Sequence, residues 1–221
     1  MPEILFVAGN HGKSTLSYYL AKQLSLLGKT VVLSTNSFQP VAQTLFFEQE
    51  NISDKSLGKL LSYPIIDKQR LFEHLIVLED NLAYLSYAPN ETAFHYPEVI
   101  EDTVTDLIDA LGFVNWLIID ASRELTTLDT LLLAKATRQF LIYSADRKGI
   151  AYRNHLLSKL LNAKTIAVQN SKYNPIADIP CDYLIPYAKQ LEPIGNISEI
   201  RSTTVPKAYD KVLKKLKKEV L

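Results

Sequence analysis

The sequence predicts an α/β protein, a three-layer α/β/α sandwich around a mostly parallel sheet. Three observations carry this. Short apolar runs alternate with helical stretches through nearly all of the 221 residues, which is the pattern of a sheet wrapped by helices on both faces. The first run, Ile4-Leu5-Phe6-Val7, leads through Ala8-Gly9-Asn10-His11-Gly12-Lys13-Ser14-Thr15 into a helix. A later run, Trp116-Leu117-Ile118-Ile119, ends in Asp120, an acid at the strand end where such sheets place their ligands.

The elements follow in order. Ile4–Val7 is apolar throughout, as a strand buried on both faces requires. Leu16, Leu20, Leu24 and Leu27 form one helical stripe, and Gly28 suits the position after its end. Thr30–Ser34 reads as a second buried strand, and residues from Pro40 to Leu61 as helix in pieces, broken at Asn51–Asp54. Leu75–Leu78 and Leu82–Tyr87 are strand-like runs around the turn-forming Glu79-Asp80-Asn81. Ala88–Tyr96 is a polar loop; Pro97 suits the first turn of a helix running to Leu111, stopped by Gly112. After the strand ending at Asp120 come helix Leu125–Ala136, strand Gln139–Tyr143, helix Lys148–Leu161 and strand Thr165–Gln169. Asp182–Ile185 is a weaker strand and Pro206–Glu219 a last helix. There is no internal repeat, low-complexity tract or linker, so residues 1–221 are expected to form a single domain.

Composition narrows the classes of function. With 47% hydrophobic and 22% charged residues, the chain is an ordinary globular protein. Lysine plus arginine number 24, as do aspartate plus glutamate, so net charge makes no case for nucleic acid or an anionic membrane. The lone cysteine, Cys181, excludes an internal disulfide and fits a reducing compartment. No secretory leader opens the chain and no run approaches a membrane span, so a cytoplasmic location is expected. His11, His74, His95 and His155 show no metal-ligand spacing with Cys181 or one another. The tyrosines are scattered, as amphipathic packing scatters them.

A strand feeding a Gly-Lys-Ser turn and then a helix is a phosphate-binding device. Backbone N–H groups face an anion, the lysine reaches the outer phosphates, and the serine hydroxyl can ligate Mg²⁺. The strict pattern needs a glycine five residues before Gly12, where this chain has Val7. Thr35–Ser37, Asp120 and Asn170 end other strands and so fall at the same edge of the sheet as Lys13. Asp120 then either holds a Mg²⁺-bound water beside the turn or caps the turn into the next helix; Lys13 favours the metal role.

These residues resemble the MinD/ParA family of nucleotide-binding ATPases, including its divergent branch associated with pilus assembly and conjugation. The family's deviant P-loop, Lys-Gly-Gly-x-Gly-Lys-Thr/Ser-Thr, is matched by Ala8 to Thr15. Its second strand, Gly-Lys-x-Val-Leu-Leu-Ile-Asp-x-Asp-x-Gln, is matched by Gly28 to Gln39. Trp116–Asp120 resembles its Walker B strand, and Thr137–Asn170 its strand, helix and strand closing on an asparagine. The resemblance implies a P-loop NTPase fold binding ATP and Mg²⁺. Gly9, Asn10, His11, Gly12, Lys13, Ser14 and Thr15 would surround the phosphates, Ser14 and Asp120 would hold the metal, and Asn170 would meet the adenine. Ile179-Pro180-Cys181-Asp182 would lie near it. Protein partners of a localisation, partition or assembly system are implied, and a homodimer is compatible.

The departures cluster around one phosphate. Ala8 stands where the family has a lysine that crosses to a partner's nucleotide, Thr35 and Ser37 replace both acids of Asp-x-Asp, and Ala121-Ser122-Arg123 follow Asp120. They imply that binding outlived hydrolysis, and no catalytic residue is assigned. The alternatives are a slow ATPase, a non-hydrolysing scaffold, or an enzyme similar to dethiobiotin synthetase. The last helix carries Lys207, Lys211, Lys214, Lys215, Lys217 and Lys218 opposite an apolar stripe. Without Trp or Phe anchors it is expected to pack on the fold rather than lie on a membrane.

Overall fold

The computed structural model describes residues 1–36, 54–89, 91–158, 165–171, 181–186, 213–218 and 221. Ser37 to Gln39, the helical pieces before Asp54, the end of the helix expected at Leu161, Ile179-Pro180 and the start of the last helix lie outside them.

Strand β1 (Glu3–Gly9) leads to helix α1 (Lys13–Ser25) and β2 (Thr30–Ser34). Short helices α2 (Leu57–Leu61) and α3 (Lys68–His74) precede a hairpin of β3 (Ile76–Glu79) and β4 (Leu82–Ser86). A 3₁₀ turn at Ala93–His95, α4 (Glu101–Ala110), β5 (Trp116–Asp120), α5 (Thr127–Ala134) and β6 (Arg138–Ser144) follow. Then come α6 (Arg147–Leu157), β7 (Thr165–Ser171) and β8 (Tyr183–Pro186), and residues 213–218 are helical.

The strands form one sheet in the order β3-β4-β2-β5-β1-β6-β7-β8. Every neighbouring pair is parallel except β3 with β4. Strand β1 is therefore central, paired with β5 on one side and β6 on the other.

Alternation along β1 divides the core into two layers. Ile4, Phe6 and Ala8 pack with apolar residues of α2 to α6, while Leu5 and Val7 pack with Leu16, Leu20 and Leu24 of α1. Leu213 and Leu216 join the α1 side with no exposed surface, while Lys215 and Lys218 face solvent. Residues 213–218 are thus packed through Leu213 and Leu216. Removing a buried leucine side chain costs about 2–5 kcal/mol. Leu216→Ala should therefore lower the melting temperature by roughly 4–20 °C, read by scanning calorimetry. An unchanged melting temperature would refute this packing.

Two helix starts fall more than one residue from the sequence expectation, and α3 (Lys68–His74) was not expected. Pro97 does not open a helix. It holds Tyr96 extended (φ −124°, ψ 159°), and α4 begins only where Glu101 and Asp102 place acids in the first turn. Helix α5 begins at Thr127, not Leu125, because Thr126 and Asp129 form a capping box. That Thr-x-x-Asp spacing is legible in the sequence.

A buried histidine links α3 to α2. The Ser56 backbone N–H donates to Nδ1 of His74 at 3.2 Å, and His74 is only 5% exposed. Burial, helped by Lys59 and Lys55 against Glu73 and Glu91, holds its pKa below the usual 6.5. The unfolded chain therefore takes up this proton first as pH falls. The stability His74 contributes is complete above pH 6.5 and drains away as pH falls toward its folded pKa. Melting temperature should drop between pH 7.5 and 5.5, and His74→Gln should flatten that limb. Equal slopes in the two proteins would refute the assignment.

Candidate functional site

The site is built at the C-terminal ends of β1, β5, β2 and β6. After β1 the chain turns at Gly12, whose backbone is left-handed (φ 79°, ψ 5°) and which directly precedes α1 without a side-chain cap. The first amides of α1 are thus left open to an anion. Close approach also fixes this turn. A Cβ on Gly12 would lie 2.3 Å from Asn170 Nδ2, and one on Gly9 would lie 2.6 Å from the Ile142 carbonyl. Gly12→Ala combines strain with a clash and should abolish the turn, reducing anion binding at least tenfold by isothermal calorimetry while the circular dichroism spectrum is kept. Undiminished binding would show that the turn is not the anion site.

Asn10 fastens the turn to β6. Its Nδ2 donates to Ser144 Oγ and its Oδ1 accepts from Ser144 N–H, both at 3.1 Å, while its own N–H reaches the Ile142 carbonyl. Asn10 is thereby committed to holding the loop's shape. Ser144 in turn donates to Asp146, the residue that caps α6, and the bond from Gly149 N–H is the main cause holding Asp146 below the usual carboxylate pKa. His11 is exposed at the tip of the turn, and Ser14 and Thr15 are half-buried in the first turn of α1.

Lys13 is 7% exposed, and its Nζ donates to Oδ1 of Asp120 at 3.2 Å. Asp120 is 1% exposed, and its Oδ2 lies 3.5 Å from Ser34 Oγ. The lysine of the turn and the acid ending the neighbouring strand therefore meet, as their positions in sequence predict. Asn170, near the end of β7, lies against Gly12 and is thus brought to the glycine turn itself. Cys181 is half-buried, and Asp182 accepts from Ala167 N–H at 2.8 Å, which fixes it to β7. Ala8 is fully buried in β1.

Beside this pair is a second polar cluster that sequence reasoning missed. Asp129 has no exposed surface, and its carboxylate gathers the hydroxyl of Thr35 after β2 and the N–H and hydroxyl of Ser122 after β5. It also takes the N–H of Thr126, at 2.8 Å, and that residue's hydroxyl, at 2.7 Å. On its far side, Thr126 and Leu128 border a cavity of about 460 Å³ with Leu61, Tyr87, Tyr96 and Val99. Among the described residues, no group of three or more His, Cys, Asp or Glu could hold a metal, and no helix is long and apolar enough to cross a membrane.

Sheet order, central β1, the glycine turn and the Lys13–Asp120 pair together match the fold of solved ParA and MinD proteins. Solved structures make the likeness specific. A ParA family ATPase from Chlorobium tepidum superposes with a TM-score of 0.75 at 14% identity, covering 96% of this chain and 97% of that one. A protein assigned to plasmid partition in Borrelia burgdorferi, bound to AMPPNP, gives 0.73 at 15% identity over 97% and 96%. The septum site-determining protein MinD of Pyrococcus horikoshii, complexed with Mg-ADP, gives 0.69 at 16% identity over 98% and 96%. No protein-family model matches the chain, and no curated protein matches it in sequence.

Proposed function

We propose that this is a nucleotide-binding protein of the ParA/MinD type that binds ATP with Mg²⁺ and serves the localisation, partition or assembly of a larger machine. Residues 1–221 act as one domain in this reading. The observation that carries it is Lys13: the first residue of α1, immediately after the left-handed Gly12, with its ammonium on the Asp120 carboxylate. Gly9 to Thr15 surround the β- and γ-phosphates, and Lys13 leaves Asp120 to contact them.

The residues present fit Mg²⁺. Asp120 and Ser14 offer hard oxygen donors, and Mg²⁺ characteristically completes its shell with phosphate oxygens and water rather than a protein cage. When bound, the ion would neutralise phosphate charge. Support also comes from the AMPPNP and Mg-ADP held by two proteins of the same fold. Protein partners follow by the same analogy, since a MinD of this fold was solved in complex with MinC. Asn170 lies close enough to Gly12 to sense an occupied turn, and it serves here as a nucleotide contact.

Isothermal calorimetry with ADP and AMPPNP, with and without Mg²⁺, tests the reading. Binding strengthened by Mg²⁺ is expected. Binding of neither nucleotide at millimolar concentration would overturn it and leave a scaffold on a P-loop fold.

A further inference from the structure

We infer that Asp129 is a latch that withholds hydrogen-bond donors from the outermost phosphate, so that the site discriminates poorly between a diphosphate and a triphosphate while the latch is closed. The inference rests on the nucleotide-binding reading above and names a regulatory positioning residue within that site.

The geometry is that of a carboxylate holding three chain segments together. Thr35 is the first residue after β2 and Ser122 the second after β5, strands adjacent in the sheet and flanking the Asp120 end of the site. Ser122 N–H points to Thr35 Oγ1 at 3.0 Å and to Asp129 Oδ1 at 3.3 Å, and the Thr35 hydroxyl points to the same Oδ1. The Ser122 hydroxyl lies between Asp129 Oδ2 and the Glu124 carbonyl, and Thr126 closes the remaining side. All five donor contacts converge on one fully buried carboxylate.

Two consequences follow. A terminal phosphate beyond Lys13 needs donors from the loops that follow these strands, because charge at that end is stabilised by preorganised N–H and O–H groups. Here the Thr35 hydroxyl is already spent on Asp129, and the Ser122 amide is shared between Thr35 Oγ1 and Asp129. A second buried anion at the same edge also opposes an added phosphate charge. Opening the latch returns the donors and moves the carboxylate away, which favours the triphosphate selectively. The loop after β5 then becomes the moving part, since Thr126 ties it to the first turn of α5. Asp129 acts through Thr35 and Ser122 and is a positioning residue.

The test is the ratio of ADP to AMPPNP dissociation constants, measured with Mg²⁺ in wild type, Asp129→Asn and Ser122→Ala. Asp129→Asn is isosteric but turns one acceptor into a donor facing the Thr126 N–H. Ser122→Ala keeps the charge and the amide and removes only the hydroxyl that Asp129 and the Glu124 carbonyl share. We expect the preference for AMPPNP to rise at least fivefold in Asp129→Asn and in the same direction, by less, in Ser122→Ala. A general loss of packing would weaken both nucleotides together and leave the ratio unmoved. Ratios within twofold of wild type, or a shift toward ADP, would overturn the latch while leaving nucleotide binding intact. A rise in Asp129→Asn alone would reduce the effect to charge removal and also overturn it. If Asp129→Asn does not fold, Ser122→Ala decides. A wild-type protein that binds neither nucleotide would sink both this inference and the reading beneath it.

Discussion

Lys13→Ala should weaken nucleotide binding at least tenfold and should also destabilise the protein before any nucleotide is added. The first effect is the loss of charge-assisted bonds to two phosphates, worth about 1.5–3 kcal/mol each way the pair is counted. The second comes from Asp120, which is 1% exposed and, among the described residues, would keep a 3.5 Å approach from Ser34. Removing one member of a buried ion pair typically costs about 3–5 kcal/mol, because the other charge is stranded. Calorimetry and thermal melting separate the two effects. Lys13→Met with Asp120→Asn should recover most of the melting temperature of the single variant while binding stays lost. Recovery of binding in the double variant would refute the role given to Lys13.

Turnover by the isolated protein should be barely above the uncatalysed rate even where ATP is bound. Phosphoryl transfer depends on positioned groups that stabilise charge, so each missing group removes part of the rate. Thr35 cannot serve as a carboxylate base, and general-base assistance is worth about 10²–10⁴-fold. Asp129 brings a carboxylate to Thr35 from elsewhere in the chain, but its oxygens are occupied by five donor contacts, so it does not replace the missing base. Ala8 is buried in β1 and offers no cation. A coupled phosphate-release assay checks this. Sustained turnover near one per minute, abolished by Lys13→Ala, would overturn it and restore an ordinary ATPase cycle.

The sequence carries the frame of the fold well and its polar details poorly, for physical reasons. Strands such as Ile4–Val7 and Trp116–Asp120 are buried on both faces, so their apolar runs stand out, and each appears where its run lies. Lys13 and Asp120 were legible as partners because both are tied to strand ends, and strand ends in a parallel sheet share one edge. Asp129 was not, because its role depends on the loops after β2 and β5 meeting at the first turn of α5, and only its capping-box spacing to Thr126 is local. Pro97 misled because a proline fits either the first turn of a helix or an extended approach to one. The residues of the hairpin β3–β4 gave the strands but not their opposite directions, which the short turn at Asp80-Asn81 requires.

The central place of β1 fixes the order in which the site can be made. Glu3 to Val7 pair with residues 116–120, and Leu5 to Gly9 pair with residues 138–142. During synthesis the first strand must therefore remain unpaired until more than a hundred further residues have left the ribosome. Such distant pairing makes folding slow and leaves an apolar segment open to misassociation or to a chaperone in the interval. The glycine turn is later still, because Asn10 needs Ser144 and Gly12 is braced by Asn170. A nascent chain halted before residue 144 should have no working phosphate turn, and one halted after β7 should be the earliest able to use nucleotide to drive its own folding to completion.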